Sequence, residues 1–394
     1  MVKVTLKKGK EKAAWQRHPW IFSGAIDKIK GKPVDGDLVN VVDSKGEFLA
    51  KAFYNSHSRV ALRLIEWDES IEINENWFYE KISKAVNARN YLINEETNTC
   101  RLIFSEADFL PGLIVDRYAD YLAVQISSSG IEQHQSTIIK ILAEICKPQG
   151  IFDKSDATAK SHENLEGGQG LLWGNLPPEF IEVKENGIKY HINIIEGQKS
   201  GFYCDQRENR EILAKYTANK TVLDCFSYSG GFTLNALKHN AKHVTSVDSS
   251  PLAVQTLKEN LALNQFASDK AETIQNDVNK QLRVFLEEKR TFDVIVLDPP
   301  KYAPSRAAMD RAARAYKDLN RLGMLLLKSG GLLATFSCSA AADLETFKQI
   351  IAWAALDAGK EVQFIKQFHQ PEDHPIRSSF PEGEYLKGLL VRIV

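Results

Sequence analysis

The chain of 394 residues lacks several patterns that would decide its class at once. Its five cysteines are an odd number and no two are spaced as CxxC, so the sequence contains no zinc-finger or redox pair. It has no run of about 18 apolar residues, and its first residues lack the apolar stretch of a signal peptide. We therefore expect a cytoplasmic protein with free thiols, without a metal site or a membrane segment.

Net charge is also nearly absent, because 50 Lys and Arg stand against 51 Asp and Glu. This sum hides a polarised chain. Residues 1–32 carry nine basic and two acidic side chains, whereas residues 66–80 carry six acidic residues and no Lys or Arg. We expect the basic segment to attract nucleic acid and the acidic run to mark a domain junction.

The order of apolar runs and turn residues predicts three domains. Short β-rich runs predict a small β-rich domain over residues 1–70, and mixed patterns, with a helix near 130–146, predict a central α+β domain over 71–185. From 186 to 394 strands and helices alternate, with a long helix near 306–327. Since the strands of this last domain are almost continuously apolar, we predict an α/β fold with a parallel sheet covered by helices on both faces.

Polar residues follow the first four predicted strands of this α/β domain: Asp224, Asp248, Asn276 with Asp277, and Asp298. Ligands of such sheets bind beyond the carboxyl ends of the strands, where a carboxylate is suited to a ribose. The loop after the first strand, with Phe226, Ser227 and Gly230, allows close approach of the backbone, but GxGxxG is missing. This favours a nucleoside without a pyrophosphate; a plain strand-to-helix turn with Asp248 as a capping neighbour is the alternative.

Two further loops suggest the chemistry. The rigid turn Asp298-Pro299-Pro300-Lys301 favours a planar base, and Cys338 follows the next strand. A thiolate there could add to carbon-6 of a pyrimidine and activate carbon-5, although a small buried residue is the ordinary interpretation of such a cysteine. Cys204 is a rival nucleophile, and Cys225 is expected to pack in the core.

Basic residues with aromatic neighbours suggest contacts to RNA. Arg207 and Arg210 are three residues apart on one helix face, where they could meet a cofactor carboxylate or an RNA phosphate. Arg17 and Trp20 suit backbone contact and base stacking. Trp20 and Phe22 suit the core of the small domain equally well.

The order of these strand-end residues resembles that of S-adenosylmethionine-dependent methyltransferases. More closely, the chain resembles the bacterial 23S ribosomal RNA large-subunit methyltransferases of the RlmI type, which make 5-methylcytosine. The segments that carry this resemblance are 18–24, 110–118, 201–210, 224–232, 298–301, 337–339 and 373–375. The resemblance implies an N-terminal PUA-like RNA-binding domain, a central α+β domain, a C-terminal Rossmann-like methyltransferase domain, 23S rRNA as partner, and a homodimer.

By position, the resemblance also implies roles for single residues. Asp224, Asp248 and Asp277, with the loop residues named above and Arg207, would bind S-adenosylmethionine, and the segment 202–210 would close over it. Cys338 would be the nucleophile, and Asp298 would hydrogen-bond the base. The predicted RNA contacts are Arg17, Trp20, Lys301 and Arg210.

Lys301 stands where many RNA cytosine-5 methyltransferases have a second cysteine, so product release cannot use that thiol. Two other functions stay open at this point: methylation of guanine, for which Cys338 would only be packing, and a non-catalytic RNA-binding factor of ribosome assembly.

Overall fold

The computed structural model describes residues 2–197, 199–303, 308–339 and 341–394, and only the backbone of Ala159. Two compact units divide the chain. The first comprises Met1–Val183, Asn193–Cys204 and Asp373–Gly383, and the second comprises Lys184–Ile192, Asp205–Glu372 and Glu384–Val394. The three-domain boundaries at residues 70 and 185 stay predictions.

The first unit opens with a six-stranded sheet. Its elements are β1 (Val2–Leu6), α1 (Lys12–Trp15), β2 (Trp20–Ile21), β3 (Ile26–Lys30), β4 (Leu38–Val42), β5 (Phe48–Tyr54) and β6 (Leu62–Glu66), with strand order β2-β6-β5-β4-β1-β3. Alternate residues such as Val39 and Val41 of β4, or Leu62 and Leu64 of β6, are buried in its core. This is the alternation expected of a strand with one face on a core.

A five-stranded sheet, ordered β11-β10-β9-β8-β7, and four helices follow in the same unit. The elements are α2 (Glu75–Asn87), β7 (Thr99–Phe104), β8 (Leu113–Tyr118), β9 (Tyr121–Ile126), α3 (Ser129–Gln133), α4 (Gln135–Cys146), β10 (Gly150–Asp153), α5 (Ala157–Ser161) and β11 (Gly170–Gly174). Asn74 caps α2, because its side chain accepts a hydrogen bond from the amide of Trp77. The single helix predicted over 130–146 is two helices, because His134 between them has a non-helical φ of −101°.

The second unit contains the predicted alternation of strands and helices. Its elements include α6 (Arg207–Ala214), β14 (Thr221–Cys225), α7 (Gly231–Lys238), β15 (His243–Asp248), α8 (Pro251–Leu263), β16 (Ala271–Gln275), α9 (Val278–Glu287), β17 (Phe292–Leu297), α10 (Met309–Leu325), β18 (Leu327–Ser337), α11 (Leu344–Ala358), β19 (Val362–Phe368) and β20 (Lys387–Ile393). They follow β12 (Ile181–Glu185) and β13 (Ile188–Ile192), which form a separate two-stranded sheet. Positions 306 and 307 of the predicted long helix lie outside the described residues.

The seven-stranded sheet has the order β16-β15-β14-β17-β18-β20-β19, and β14 to β18 are mutually parallel. Alternate residues of β17 enter different cores: Ile295 and Leu297 pack with residues of α9, α10 and α11, whereas Val294 and Val296 pack with residues of α6 and α7. The predicted α/β sheet with helices on both faces is therefore confirmed.

The sheet is not purely parallel, however, because β20 runs antiparallel between β18 and β19. Sequence patterning does not reveal this direction: Leu389, Leu390 and Val391 are all buried, as in a central parallel strand. Among the helices of the described segments, none is long and apolar enough to cross a membrane.

Candidate functional site

The predicted strand-end residues lie along one edge of the seven-stranded sheet. Asp224 pairs in register with Ser246 of β15 and Val296 of β17, so its neighbours Asp248 and Asp298 lie two residues further along those strands. Adjacent strands are about 4.8 Å apart. Going across the edge, the order is Asp277, Asp248, Asp224, Asp298 and Cys338.

Asp224 is the most buried carboxylate of this row, with 1% of its surface exposed. Its Oδ2 accepts hydrogen bonds from the amide (3.0 Å) and the hydroxyl (2.6 Å) of Thr233, but its Oδ1 has no hydrogen-bond partner among the described residues. Burial, together with the negative charges of Asp298 and Asp248, raises the pKa of Asp224 to about 7. A buried acceptor without a partner, beside two like charges, is suited to a ligand with a donor or a positive charge.

The loop that follows β14 is held in an unusual shape. Phe226 and Tyr228 have φ angles of +61° and +46°, and Gly230, at +88°, precedes α7. The amides of Ser227, Tyr228 and Gly230 all donate within the protein, to Val247 O, Asp248 Oδ2 and Ser227 O. Residues other than glycine keep a left-handed backbone conformation only where their surroundings enforce it. The protein itself therefore sets the shape of this loop.

The same loop contains a second buried acceptor, Ser227 Oγ, and a position that requires glycine, Gly230. Ser227 Oγ is buried without a partner in the described part of the chain, as is Asp224 Oδ1. A Cβ on Gly230 would lie 2.1 Å from Leu257 Cδ1, so the position requires glycine for space as well as for its φ.

Asp248 and Asp277 have both structural and candidate ligand roles. Asp248 accepts the amides of Tyr228 and Ser250, each at 2.9 Å, and thereby connects the loop to the start of α8. Asp277 is exposed and caps α9 by accepting the amide of Lys280 at 2.9 Å. The cap uses Oδ1 of Asp277, so the hydrogen bond from Lys280 does not involve Oδ2.

Asp298 is oriented by a residue that the sequence analysis did not select. Gln206 Nε2 donates to Asp298 Oδ2 at 3.0 Å, and Gln206 Oε1 in turn accepts from Asn209 Nδ2 at 2.7 Å. Asn209 also donates to the carbonyl of His369 at 2.9 Å. The signals in the sequence are that Gln206 lies within segment 201–210, which carries part of the resemblance, and within the polar stretch 196–210 that precedes β14.

Cys338 directly follows β18 and is partly exposed. The serines on either side of it, Ser337 and Ser339, hydrogen-bond the Tyr316 hydroxyl at 3.0 and 3.1 Å. Ser339 Oγ also accepts the amide of Ala303, which belongs to the loop that contains Lys301. This hydrogen bond connects the loop after β17 with the loop after β18, next to Cys338.

The rival cysteines are buried. Cys204 is 3% exposed, and its Sγ lies 3.6 Å from Thr99 Oγ1. Cys225 lies in the core under the sheet, where burial raises the pKa of its thiol well above the ordinary value. Both therefore have packing positions, as the sequence predicted for Cys225.

The two arginines of α6 are buried, with 4% of their surfaces exposed. Arg210 forms an ion pair with Glu185 at 2.8 Å, and its side chain packs against Gly231 so tightly that a Cβ there would lie 2.4 Å from Arg210 Nε. This burial does not favour the predicted contact between Arg210 and RNA phosphate, so Arg210 is not part of the proposed RNA surface. Arg207 is the first residue of α6 and remains a predicted cofactor contact.

The aromatic residues of the first sheet differ in exposure. Trp20 is partly buried, donates from Nε1 to Glu106 Oε1 at 2.8 Å and packs edge-on against Phe380, so its ring is less suited to RNA stacking than an exposed ring. Phe22 is 54% exposed, and Trp15, which the sequence analysis did not select, is 66% exposed. The two other predicted RNA contacts, Arg17 and Lys301, have exposed side chains.

Comparison with known proteins agrees with this arrangement. A model of the PUA-like domain matches residues 4–67, and a model described as Conserved hypothetical protein 95 matches residues 207–350. Ribosomal RNA large subunit methyltransferase I of Pseudoalteromonas translucida is 44% identical over 391 residues, which cover 99% of each chain. The protein of the same name from Escherichia coli is 40% identical over 394 residues, which cover 100% of both chains.

The chain belongs to the ribosomal RNA large subunit methyltransferase I family. The resemblance found in the sequence motifs is thereby confirmed. Solved structures share the fold of this family member over the full length of both chains: one from Streptococcus mutans, assigned as SAM-dependent, has a TM-score of 0.86 at 22% identity. A second, complexed with SAH, has a TM-score of 0.87 at 22% identity.

Proposed function

We propose that this protein transfers a methyl group from S-adenosylmethionine to carbon-5 of a cytosine in 23S rRNA, with Cys338 as nucleophile. Family membership makes the protein a methyltransferase that uses S-adenosylmethionine. The rRNA substrate, the target atom and the covalent adduct are the proposal. The observation that carries it is the partly exposed Cys338, which lies on the same sheet edge as the carboxylate row.

The residues of this edge fit S-adenosylmethionine. The unpartnered acceptors of Asp224 and Ser227 suit donors of the cofactor, and Asp248, at the end of the neighbouring strand, suits its ribose hydroxyls. Asp277 and Arg207 complete the proposed set. When bound, the cofactor supplies an electrophilic methyl group on a positively charged sulfonium, for which a row of carboxylates is electrostatically suited.

In this proposal Cys338 makes carbon-5 of the cytosine ring nucleophilic enough to be methylated. Carbon-5 of a pyrimidine is a weak nucleophile toward a sulfonium, and addition of the thiolate changes this. The sulfur electron pair forms a bond to carbon-6, and the electrons of the carbon-5 to carbon-6 double bond move to carbon-5, which then takes the methyl group. Removal of the carbon-5 proton by a base leaves the electrons of that carbon–hydrogen bond to re-form the double bond between carbon-5 and carbon-6, and the thiolate leaves with the electrons of the bond between carbon-6 and sulfur.

In this proposal Asp298 holds the base during the reaction. Its carboxylate would accept a hydrogen bond from the cytosine amino group, and Gln206 orients the carboxylate by donating to Oδ2. The target base must leave its stack to reach such a pocket. Lys301 follows the same loop and is exposed, so it suits the RNA backbone.

The basic PUA-like segment is the proposed RNA-docking surface. Lys7 lies next to the aromatic segment, since its Nζ donates to the carbonyl of Gly24 at 2.9 Å. Phe22 and Trp15 are exposed for stacking, and Arg17 adds positive charge. Cations that neutralise phosphates and aromatic rings that stack on bases are the usual combination for single-stranded RNA.

The cellular setting is proposed from the same resemblance. We propose that the protein acts in the cytoplasm and as a homodimer of its 44.3 kDa chain. Light scattering behind size-exclusion chromatography tests the dimer: a mass near that of one chain contradicts it.

The proposed chemistry is tested with Cys338→Ala and with Cys146→Ala as control, since Cys146 is another partly exposed thiol, on α4. Nucleoside mass spectrometry of 23S rRNA incubated with each variant measures 5-methylcytosine. We expect none with Cys338→Ala and normal formation with the control, while calorimetry shows that both variants bind S-adenosylmethionine. Formation of 5-methylcytosine by Cys338→Ala contradicts the mechanism.

The same analysis of rRNA from a deletion strain separates the alternatives. A missing methylguanosine would indicate guanine methylation, for which the Asp298-Pro299-Pro300 turn suffices. Unchanged nucleosides, together with no affinity of the purified protein for S-adenosylmethionine, would indicate a non-catalytic assembly factor.

A further inference from the structure

A buried lysine lies beside the proposed nucleophile. Lys387 is the first residue of β20 and pairs in register with Ser337, the residue before Cys338. Its Nζ donates to the carbonyl of Ser339, the residue after Cys338, at 3.0 Å. The ammonium group therefore binds the short backbone segment that presents the thiol.

Among the described residues, none forms an ion pair with this lysine. Lys387 is 6% exposed, and within the described ranges no carboxylate oxygen lies within 4.0 Å of its Nζ. A buried charge is costly unless a charge of opposite sign compensates it. Burial lowers the pKa of Lys387, and the largest opposing contribution from a charge comes from Cys338, ahead of Glu384 and Asp343.

We propose that Lys387 is a positioning residue that stabilises the Cys338 thiolate through an ammonium–thiolate interaction. This rests on the proposed function, in which Cys338 is the nucleophile. The thiol proton leaves to solvent water, the lysine keeps its own proton, and the negative charge on sulfur is compensated by the adjacent ammonium. The thiolate is the reactive form of cysteine, so the lysine increases the reactive fraction at neutral pH.

Other titratable groups also face this position. Tyr316 of α10 bonds both flanking serines, and burial raises its pKa, so it is uncharged at neutral pH. Lys301 has an exposed side chain, and so do Asp343, before α11, and Glu384, before β20. Because solvent screens these exposed charges more than a buried one, we expect Lys387 to have the largest effect on the thiol.

The test is the pH dependence of alkylation of Cys338 by iodoacetamide in the full-length protein, without RNA or cofactor. Peptide mass spectrometry follows Cys338 alone. Lys387→Met should move the midpoint upward by at least one pH unit, which corresponds to about tenfold slower alkylation at pH 7. Lys387→Arg, which keeps the charge, should restore most of the wild-type midpoint.

Lys366→Met is the matched control, because Lys366 is an exposed lysine on the adjacent strand β19, and its midpoint should equal that of the wild type. Equal midpoints for wild type and Lys387→Met would overturn the proposal. If Lys387→Met does not fold, Lys387→Gln provides the same comparison. A Cys338→Ala variant that still methylates cytosine would instead refute the proposed function, and would leave the alkylation result unchanged.

Discussion

Replacing Asp224 by asparagine should stabilise the protein at neutral pH and remove cofactor binding. The pKa of Asp224 is raised to about 7 from its ordinary value of 3.8, chiefly by burial. Between these pH values the folded protein holds a proton that the unfolded chain has released. Its contribution to the free energy of unfolding is therefore fully present below about pH 3.8 and is lost as pH rises to about 7.

The size of this effect follows from the pKa difference. A difference of about 3 pH units corresponds to about 4 kcal/mol in total, of which about 3 kcal/mol is lost between pH 5 and pH 8. For a unit of about 200 residues this corresponds to roughly 6 to 12 °C in the midpoint of thermal unfolding. Asparagine keeps an oxygen for the two bonds from Thr233 but does not titrate.

Thermal unfolding of wild type and Asp224→Asn at pH 5 and pH 8 measures this. The wild type should lose stability over that interval relative to the variant, and the variant should be the more stable protein at pH 8. Calorimetry at pH 8 should show at least tenfold weaker binding of S-adenosylmethionine by the variant. Equal pH dependence of the two proteins would refute the assignment of a buried, ionised Asp224.

Three further sets of substitutions test other parts of the structure. Gly230→Ala should cost about 2–4 kcal/mol in urea unfolding, because it adds strain and a steric clash, whereas Gly330→Ala, at φ +73° in open space, should cost about 1 kcal/mol; equal costs would contradict the clash. Glu185→Gln should destabilise the protein by about 3–5 kcal/mol, since it leaves the buried guanidinium of Arg210 without the carboxylate of Glu185; a neutral effect in the same assay contradicts this. Trp15→Ala should weaken binding to a 23S rRNA fragment by fivefold or more in filter binding without lowering thermal stability, whereas Trp20→Ala should lower stability; the reverse pattern would place the stacking surface elsewhere.

The carboxylate row could be predicted from the sequence because it depends on local patterns. Apolar strands followed by Asp224, Asp248 and Asp298 must bring these residues to one edge once the sheet is parallel, and β14, β15 and β17 are parallel.

Residues that depend on distant pairing could not be predicted. Lys387 reaches the backbone beside Cys338 because β20 enters the sheet antiparallel, next to β18, which an apolar run does not specify. Gln206 reaches Asp298 across 92 positions of sequence. Trp20 contacts Glu106 and Phe380, which are distant in sequence, whereas Phe22 is exposed, and the local sequence does not distinguish the two rings.

The most direct test of the central claim is a trapping experiment with 23S rRNA that carries 5-fluorocytidine. Because the fluorine at carbon-5 cannot be removed as a proton, the enzyme should remain joined to carbon-6 after methylation. In the presence of S-adenosylmethionine we predict a protein–RNA adduct that survives denaturing electrophoresis and that peptide mapping assigns to Cys338. An adduct at Cys204, or none with active enzyme, would contradict the account.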